Sequence, residues 1–195
     1  MKRIFKNPNS KIVLDNLRYK TNGDNSKLAK ILLSEQKNFC AYTEEYIGIN
    51  DARDIEHFNP NLKDSIQDNY ENWFCVKHTP NMHKSTKWFD EVLHPIVEGF
   101  EERLIYNDGA FFPANENDIE TSNLISLLDL NNEILVKDRQ KYIARRKEAI
   151  EDYKKAPTEY FEKKIKEEIW QVRYLRAIET EFGIDIWSMI PEIEE

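Results

Sequence analysis

Residues 54 to 60 read DIEHFNP and residues 72 to 84 read NWFCVKHTPNMHK, and together they hold side chains suited to hydrolysing a phosphodiester. At neutral pH that reaction requires a base to activate water, an electrophile to absorb charge on the phosphate, and ligands that leave the electrophile open positions. His57 suits the base, because an imidazole titrates near neutrality. Glu56 suits a hard divalent cation such as Mg²⁺ or Mn²⁺, which takes oxygen ligands and keeps several waters. Asn72 would pin the loop that carries His57. Asn81 would bring a second oxygen to the metal, and Lys84 would meet a phosphate as a point charge.

Several elements must position these residues. NSKLAKILLSEQKN, with Asp24 or Ser26 as cap, has the apolar spacing of an amphipathic helix. ARDIEHF reads as a strand with Ile55 and His57 on one face and Glu56 on the other, a strand-end twist letting both functional groups approach one cleft. WFCV is a short apolar patch after a polar loop. TPNMHKSTKWFDEVLHP reads as a helix with Thr79 as N-cap, Pro80 at its first position and Pro95 as its stop, presenting Asn81, Lys84, Ser85 and Trp88 on one face. RLIYNDGAFF is a hairpin signal. From Asp118 onward the pattern is helical: IETSNLISLLDL, then EILVKDRQKYIARRKEAIEDYKK, then one long helix from Thr158 to Phe182 after the break at Pro157.

The chain has 195 residues, enough for one sizeable core, and its 40% hydrophobic content with 12% aromatics excludes a disordered chain. No run approaches the roughly 18 apolar residues of a membrane span. The start MKRIFKNPNSK lacks a signal-peptide core, and two cysteines make no disulfide framework, so a cytoplasmic protein with no membrane partner is expected. A net charge of −8 argues against broad, self-sufficient binding of nucleic acid and leaves room for a small pocket fed by a partner.

The set Glu56-His57, Asn72, Asn81 and Lys84 resembles an HNH endonuclease. The order LLSEQKNFCAYTEEYI, IEHFNP, YENWF, YNDGAFFP and LLDLNNEILVKDRQ, over roughly residues 1 to 150, is similar to the HNH subunit of Septu-type bacterial anti-phage defence systems and related retron-associated nucleases. The resemblance implies an α+β fold with a small ββα-metal (HNH, or His-Me finger) core over residues 39–95. An N-terminal arm and helix over 1–38 would precede it, and a hairpin and mainly α-helical C-terminal region over 96–195 would pack on it. It implies His57 as general base, Glu56 and Asn81 as ligands of a divalent metal, Asn72 as the loop-fixing asparagine, and Lys84 as a phosphate or structural contact. It also implies a nucleic-acid substrate, DNA in preference to RNA, and an ATPase partner resembling the chromosome-maintenance and ABC classes. The alternative is a catalytically degenerate HNH-fold assembly subunit that binds the ATPase.

Many HNH proteins carry a zinc knuckle of two C-x-x-C pairs. Here the corresponding stretches are Cys40-Ala-Tyr-Thr43 and Lys77-His-Thr-Pro80, so three of four thiolates are missing and a structural Zn²⁺ is not expected. A site rebuilt from Cys40, Cys75, His78 and His83 is the less favoured option. The preferred reading makes both cysteines small buried hydrophobes, with Phe39, Tyr42, Trp73 and Phe74 packing in place of the clamp. His78 and His94 read as surface or helix-end residues, and His83 as a second-choice ligand. Arg139, Arg145 and Arg146 read as a solvated helix face, with nucleic-acid contact as the alternative. Trp170, Tyr174, Ile178 and Phe182 recur every four residues and read as core, with a docking face as the alternative.

Overall fold

The computed structural model describes residues 1–193 and is mixed α+β. After a single turn, α1 (Lys11–Leu14), the expected amphipathic helix forms as α2 (Ser26–Glu35), burying Leu28, Ile31 and Leu32. Strand β1 (Arg53–His57) then pairs antiparallel with β2 (Trp73–Lys77), placing His57 opposite Trp73 and Glu56 opposite Phe74. Helix α3 (His78–Lys84) follows β2 without a loop. A turn, α4 (Phe100–Arg103), leads into the hairpin of β3 (Leu104–Asn107) and β4 (Ala110–Pro113). The rest is helical: α5 (Ile119–Leu127), α6 (Glu133–Tyr153), α7 (Pro157–Glu168), α8 (Leu175–Phe182) and α9 (Ile186–Met189). No helix among the described residues is long and apolar enough to cross a membrane. One hydrophobic cluster runs from Met1 and Ile12 through Phe58, Trp73 and Phe74 to Ile178 and Ile190, so all three sequence segments share a core.

A two-stranded ribbon of five-residue strands has little stability of its own, and β1 and β2 are held by what surrounds them. The Gln36 side chain, just past α2, acts as a short third strand. Its Oε1 accepts from the Cys75 N–H at 2.8 Å while its Nε2 donates to the Cys75 carbonyl at 2.8 Å. The Ala41 N–H reaches the same carbonyl, the Lys77 N–H donates to Cys40 Sγ, and Lys6 Nζ donates to the Trp73 carbonyl. Phe39, Tyr42, Trp73 and Phe74 are all buried around this edge. Cys40 and Cys75 are buried free thiols, and burial pushes Cys75 up to about 12.

Several expectations are corrected. The helix expected to run to Pro95 ends at Lys84, because Ser85 adopts φ +50° and the chain turns away. Its continuation is worth more as packing than as helix: Trp88 and His94 lie edge-on to Phe58 at 5.4 and 4.6 Å between ring centroids. His94 is therefore a partly buried aromatic neighbour and caps no helix. The helix expected from Thr158 to Phe182 is broken between α7 and α8, where Arg173 bridges to Glu45, the Tyr174 N–H donates to the Glu44 carbonyl, and Tyr174 takes φ +60°. Tyr174 and Ile178 are core, but Trp170 is 62% exposed. Arg139, finally, is buried. It donates to the Gly109 and Leu130 carbonyls at 2.8 Å each and so ties the hairpin to α6. Gly109 sits at φ +87° with Val136 O 2.8 Å from where a Cβ would stand, which makes glycine obligatory at that turn.

Burial against Phe58 and Phe74, with Lys6 acting in the same direction, pushes the His94 imidazole down to about 4. The unfolded chain takes up this proton near the ordinary value of about 6.5. The folded chain resists until much lower pH, so stability is lost as pH falls through that window. Linkage assigns this group about 2 to 3 kcal/mol of the stability lost between about pH 7 and about pH 4.5. His94→Leu is expected to remove that share, measured as the difference in urea unfolding free energy between the two pH values. An unchanged difference would mean the ring is not held neutral by burial.

Candidate active site

The loop from Asn59 to Asn72 is closed by its own last residue. The Phe58 N–H donates to the Asn72 backbone carbonyl at 2.8 Å. The Asn59 N–H donates to Asn72 Oδ1 at 2.7 Å, and Asn72 Nδ2 donates back to the Asn59 carbonyl at 3.1 Å. A buried primary amide can satisfy a backbone donor and acceptor together, as another strand would. Inside the loop, Asn59 Oδ1 accepts from Asn61 N and Asn69 Oδ1 from Glu71 N, turning the chain at each end.

The same amide positions Asp68. Asn72 Nδ2 at 2.9 Å and Trp73 Nε1 at 2.7 Å both donate to Asp68 Oδ1, which leaves Oδ2 for His57 Nε2 at 3.1 Å. That last contact has the distance of an ion pair but not the direction of a ring N–H bond, so Nε2 has no well-aligned partner. Tyr19 packs edge-on against the imidazole at 4.5 Å. Burial lowers the His57 pKa, Asp68 opposing the shift and Lys63 reinforcing it, so the ring is neutral at pH 7.

On β1, Glu56 and Asp54 stand two residues apart and so share a face. Glu56 Oε1 pairs with Lys84 Nζ at 2.6 Å, both side chains being almost wholly buried, and Tyr42 OH lies 3.5 Å from the same oxygen. Burial pushes the Glu56 carboxyl up, against the pull of Lys84. Lys84 also donates to the His57 carbonyl at 3.3 Å, so it bridges α3 to β1 and is turned away from solvent. Asp54 Oδ2 accepts from Asn81 Nδ2 at 2.9 Å and lies 2.8 Å from His78 Nδ1.

A cleft of about 680 Å³ brings Asp54, Glu56, His57, His78 and Asn81 to one surface, with Tyr19, Lys63 and Arg53 on its walls. No family model matches the chain, and no curated protein or solved structure matches it either. What the site can do therefore rests on its own geometry. Four of the five sequence-derived residues sit as a connected set: Asn72 on the loop, His57 at the cleft, Lys84 on Glu56. Asn81 lines the cleft with Glu56, but no hydrogen bond joins the two.

Asp68, Asp54, Tyr19 and Lys63 escaped the sequence reading. Asp68 carried a signal in its place four residues before Asn72, and Asp54 in its alternation with Glu56; Tyr19, more than thirty residues upstream of His57, carried none. Among the described residues, no three His, Cys, Asp or Glu side chains stand close enough to form a ready metal cluster. The cleft carries two carboxylates, Asp54 and Glu56, two amides, Asn25 and Asn81, and two imidazoles, His57 and His78, with oxygen donors in the majority and no thiolate among them. Such a set suits a hard cation that keeps most of its waters and does not suit the closed N and S shell of structural zinc.

Lys84→Met removes one member of a buried ion pair and leaves a carboxylate uncompensated, an expected loss of about 3 to 5 kcal/mol in chemical unfolding. Adding Glu56→Gln to that variant is expected to restore part of the loss. A single variant as stable as wild type would mean Glu56 is already neutral in the fold.

Proposed function

We propose that this chain is a metal-dependent HNH-type endonuclease that hydrolyses nucleic-acid phosphodiester bonds. The observation that supports this reading best is the polar chain from Asn72 through Asp68 to His57, which aims a neutral imidazole at an oxygen-lined cleft from a strand, loop, strand and helix succession. Asp68 favours the tautomer with a proton on Nε2, so Nδ1 is the nitrogen that takes a proton from water. Asn72 holds the loop in the geometry that makes this possible. Glu56 and Asn81, which share the cleft wall with Asp54, would hold Mg²⁺ or Mn²⁺. When bound, that ion supplies charge neutralisation at the phosphate and at the leaving 3′ oxygen. Lys84 acts through Glu56 as a positioning residue, and Lys63, beside Tyr19 at 5.3 Å from its ring, is the cation placed to meet a phosphate at the mouth. DNA as preferred substrate, an ATPase partner and the anti-phage setting follow from the sequence resemblance, a cytoplasmic location follows from the composition, and all belong to the same proposal.

Supercoiled plasmid incubated with Mg²⁺ or Mn²⁺ provides the test. Wild type is expected to nick or linearise it, EDTA to stop the reaction, and His57→Ala to slow it by about 10²- to 10⁴-fold, the usual worth of a general base. Cleavage unaffected by His57→Ala sinks this reading. Asp68→Asn keeps a side chain of the same shape but loses the carboxylate facing Nε2, and is expected to lower kcat by at least about tenfold with little change in KM.

A further inference from the structure

One neighbour of His57 comes from outside the strands, loop and helix that build the candidate active site. Tyr19 belongs to the arm between α1 and α2, and it meets the imidazole with ring centroids 4.5 Å apart and planes at 89°. Among the described residues it is the imidazole's one aromatic neighbour. Lys63 Nζ, from the loop that ends at Asn72, lies 5.3 Å from the centre of the same tyrosine ring. Arm and loop thus meet at His57, which is only 6% exposed although it lines a cleft.

His57 needs such a neighbour. The χ2 torsion of a histidine is broad, with no sharp staggered well to hold the ring. A well-aligned hydrogen bond usually sets it, but Nε2 lies 3.1 Å from Asp68 Oδ2 without the direction of a ring N–H bond. Pairing with β2 fixes the His57 backbone, and Lys84 bonds its carbonyl, but neither acts on the ring. The edge-on aromatic contact does act on it, because turning the ring out of that geometry gives the contact up.

The tyrosine is itself held in place. Asn25, at the cap of α2, accepts from the Lys20 N–H at 2.8 Å and donates to the Lys20 and Gly23 carbonyls at 2.9 and 3.1 Å. One amide so satisfies both backbone groups of Lys20, the same device by which Asn72 clasps Asn59. The Gly23 N–H closes the turn on the Lys20 carbonyl. Thr21 Oγ1 donates to Asp64 Oδ1 and latches the turn to the loop beside Lys63. Leu17 and Tyr19 anchor the arm by packing on the hydrophobic core.

We infer that Tyr19 is a positioning residue that holds the His57 imidazole in one orientation, and that the arm of residues 15–25 is a working wall of the candidate active site. The inference rests on the nuclease reading for what His57 does. It makes the strand, loop, strand and helix unit incomplete without the arm. The contact is made by the ring and not by the hydroxyl, so phenylalanine can serve in its place.

Two measurements on the full chain test it: plasmid cleavage kinetics in Mg²⁺ or Mn²⁺, and NMR relaxation of the His57 ring carbons in EDTA, with signals assigned by His57→Gln. Tyr19→Leu is expected to lower kcat about 10- to 100-fold with KM changed by less than about twofold. Tyr19→Phe is expected to recover most of that loss. Thr21→Val, which cuts the latch and keeps the shape, is expected to show part of it. The His57 ring is expected to have an order parameter of about 0.85 in wild type and Tyr19→Phe, and below about 0.6 in Tyr19→Leu. Wild-type kcat in Tyr19→Leu, an equal loss in Tyr19→Phe, a rise in KM alone, or a ring still ordered in Tyr19→Leu each overturns the positioning role. Plasmid cut in a His57-dependent way at an undiminished rate by Tyr19→Leu removes that role and leaves the nuclease. A ring that loosens in Tyr19→Leu, on a chain that cuts no plasmid, leaves the role and removes the nuclease.

Discussion

Everything near the cleft depends on one buried amide. Asn72 bonds both backbone groups of Asn59 and also Asp68, so the loop end, the strand start and the carboxylate facing His57 are fixed by a single side chain. A buried amide is costly when its bonds are unmade and specifying when they are all made. Here the network is nearly complete. Asp68 Oδ1 receives two donors, and the one buried atom of the set without an aligned partner is His57 Nε2. The least satisfied atom of this network thus belongs to the residue assigned the proton transfer.

A second constraint is the Lys84–Glu56 pair. A carboxylate in a dry interior tends to protonate, and a buried lysine next to it counters that tendency. Removing Lys84 from solvent also changes what it can do. It serves Glu56 and the His57 carbonyl, and the positive charge at the mouth of the cleft falls to Lys63 and Arg53. One cation is used inside for shape, and the outer ones carry the exposed positive charge of the cleft.

The sequence was most legible where one residue decides a local conformation. Strand β1, the β3–β4 hairpin and the start of α7 at Pro157 all follow from alternation, turn residues or a fixed φ. Asn72 as the loop clasp came from the family resemblance and not from local rules, and its side chain does bond both backbone groups of Asn59. The sequence reading failed where distant packing overrides local preference. Nothing between Ser85 and Pro95 forbids a helix, yet Phe58 recruits Trp88 and His94 and the helix is given up. The periodic stripe from Trp170 to Phe182 is equally helical on paper, and the bridge between Glu45 and Arg173 breaks it. Asp54 and Asp68 were missed since an aspartate's partners, unlike its neighbours, cannot be read along the chain.

Gln36 and its companions have an effect on how molecules of this kind meet one another. The outward groups of β2 from the Trp73 N–H to the Lys77 N–H are occupied: Trp73 N by Tyr70, Trp73 O by Lys6, Cys75 N and O by Gln36 and Ala41, and Lys77 N by Cys40. A bare strand edge is a template for β-augmentation, through which a second chain or an extended peptide adds itself by main-chain bonds alone. On this side the ribbon offers no such template, so it is closed to strand exchange and to fibrillar growth, and any assembly there must be made by side chains.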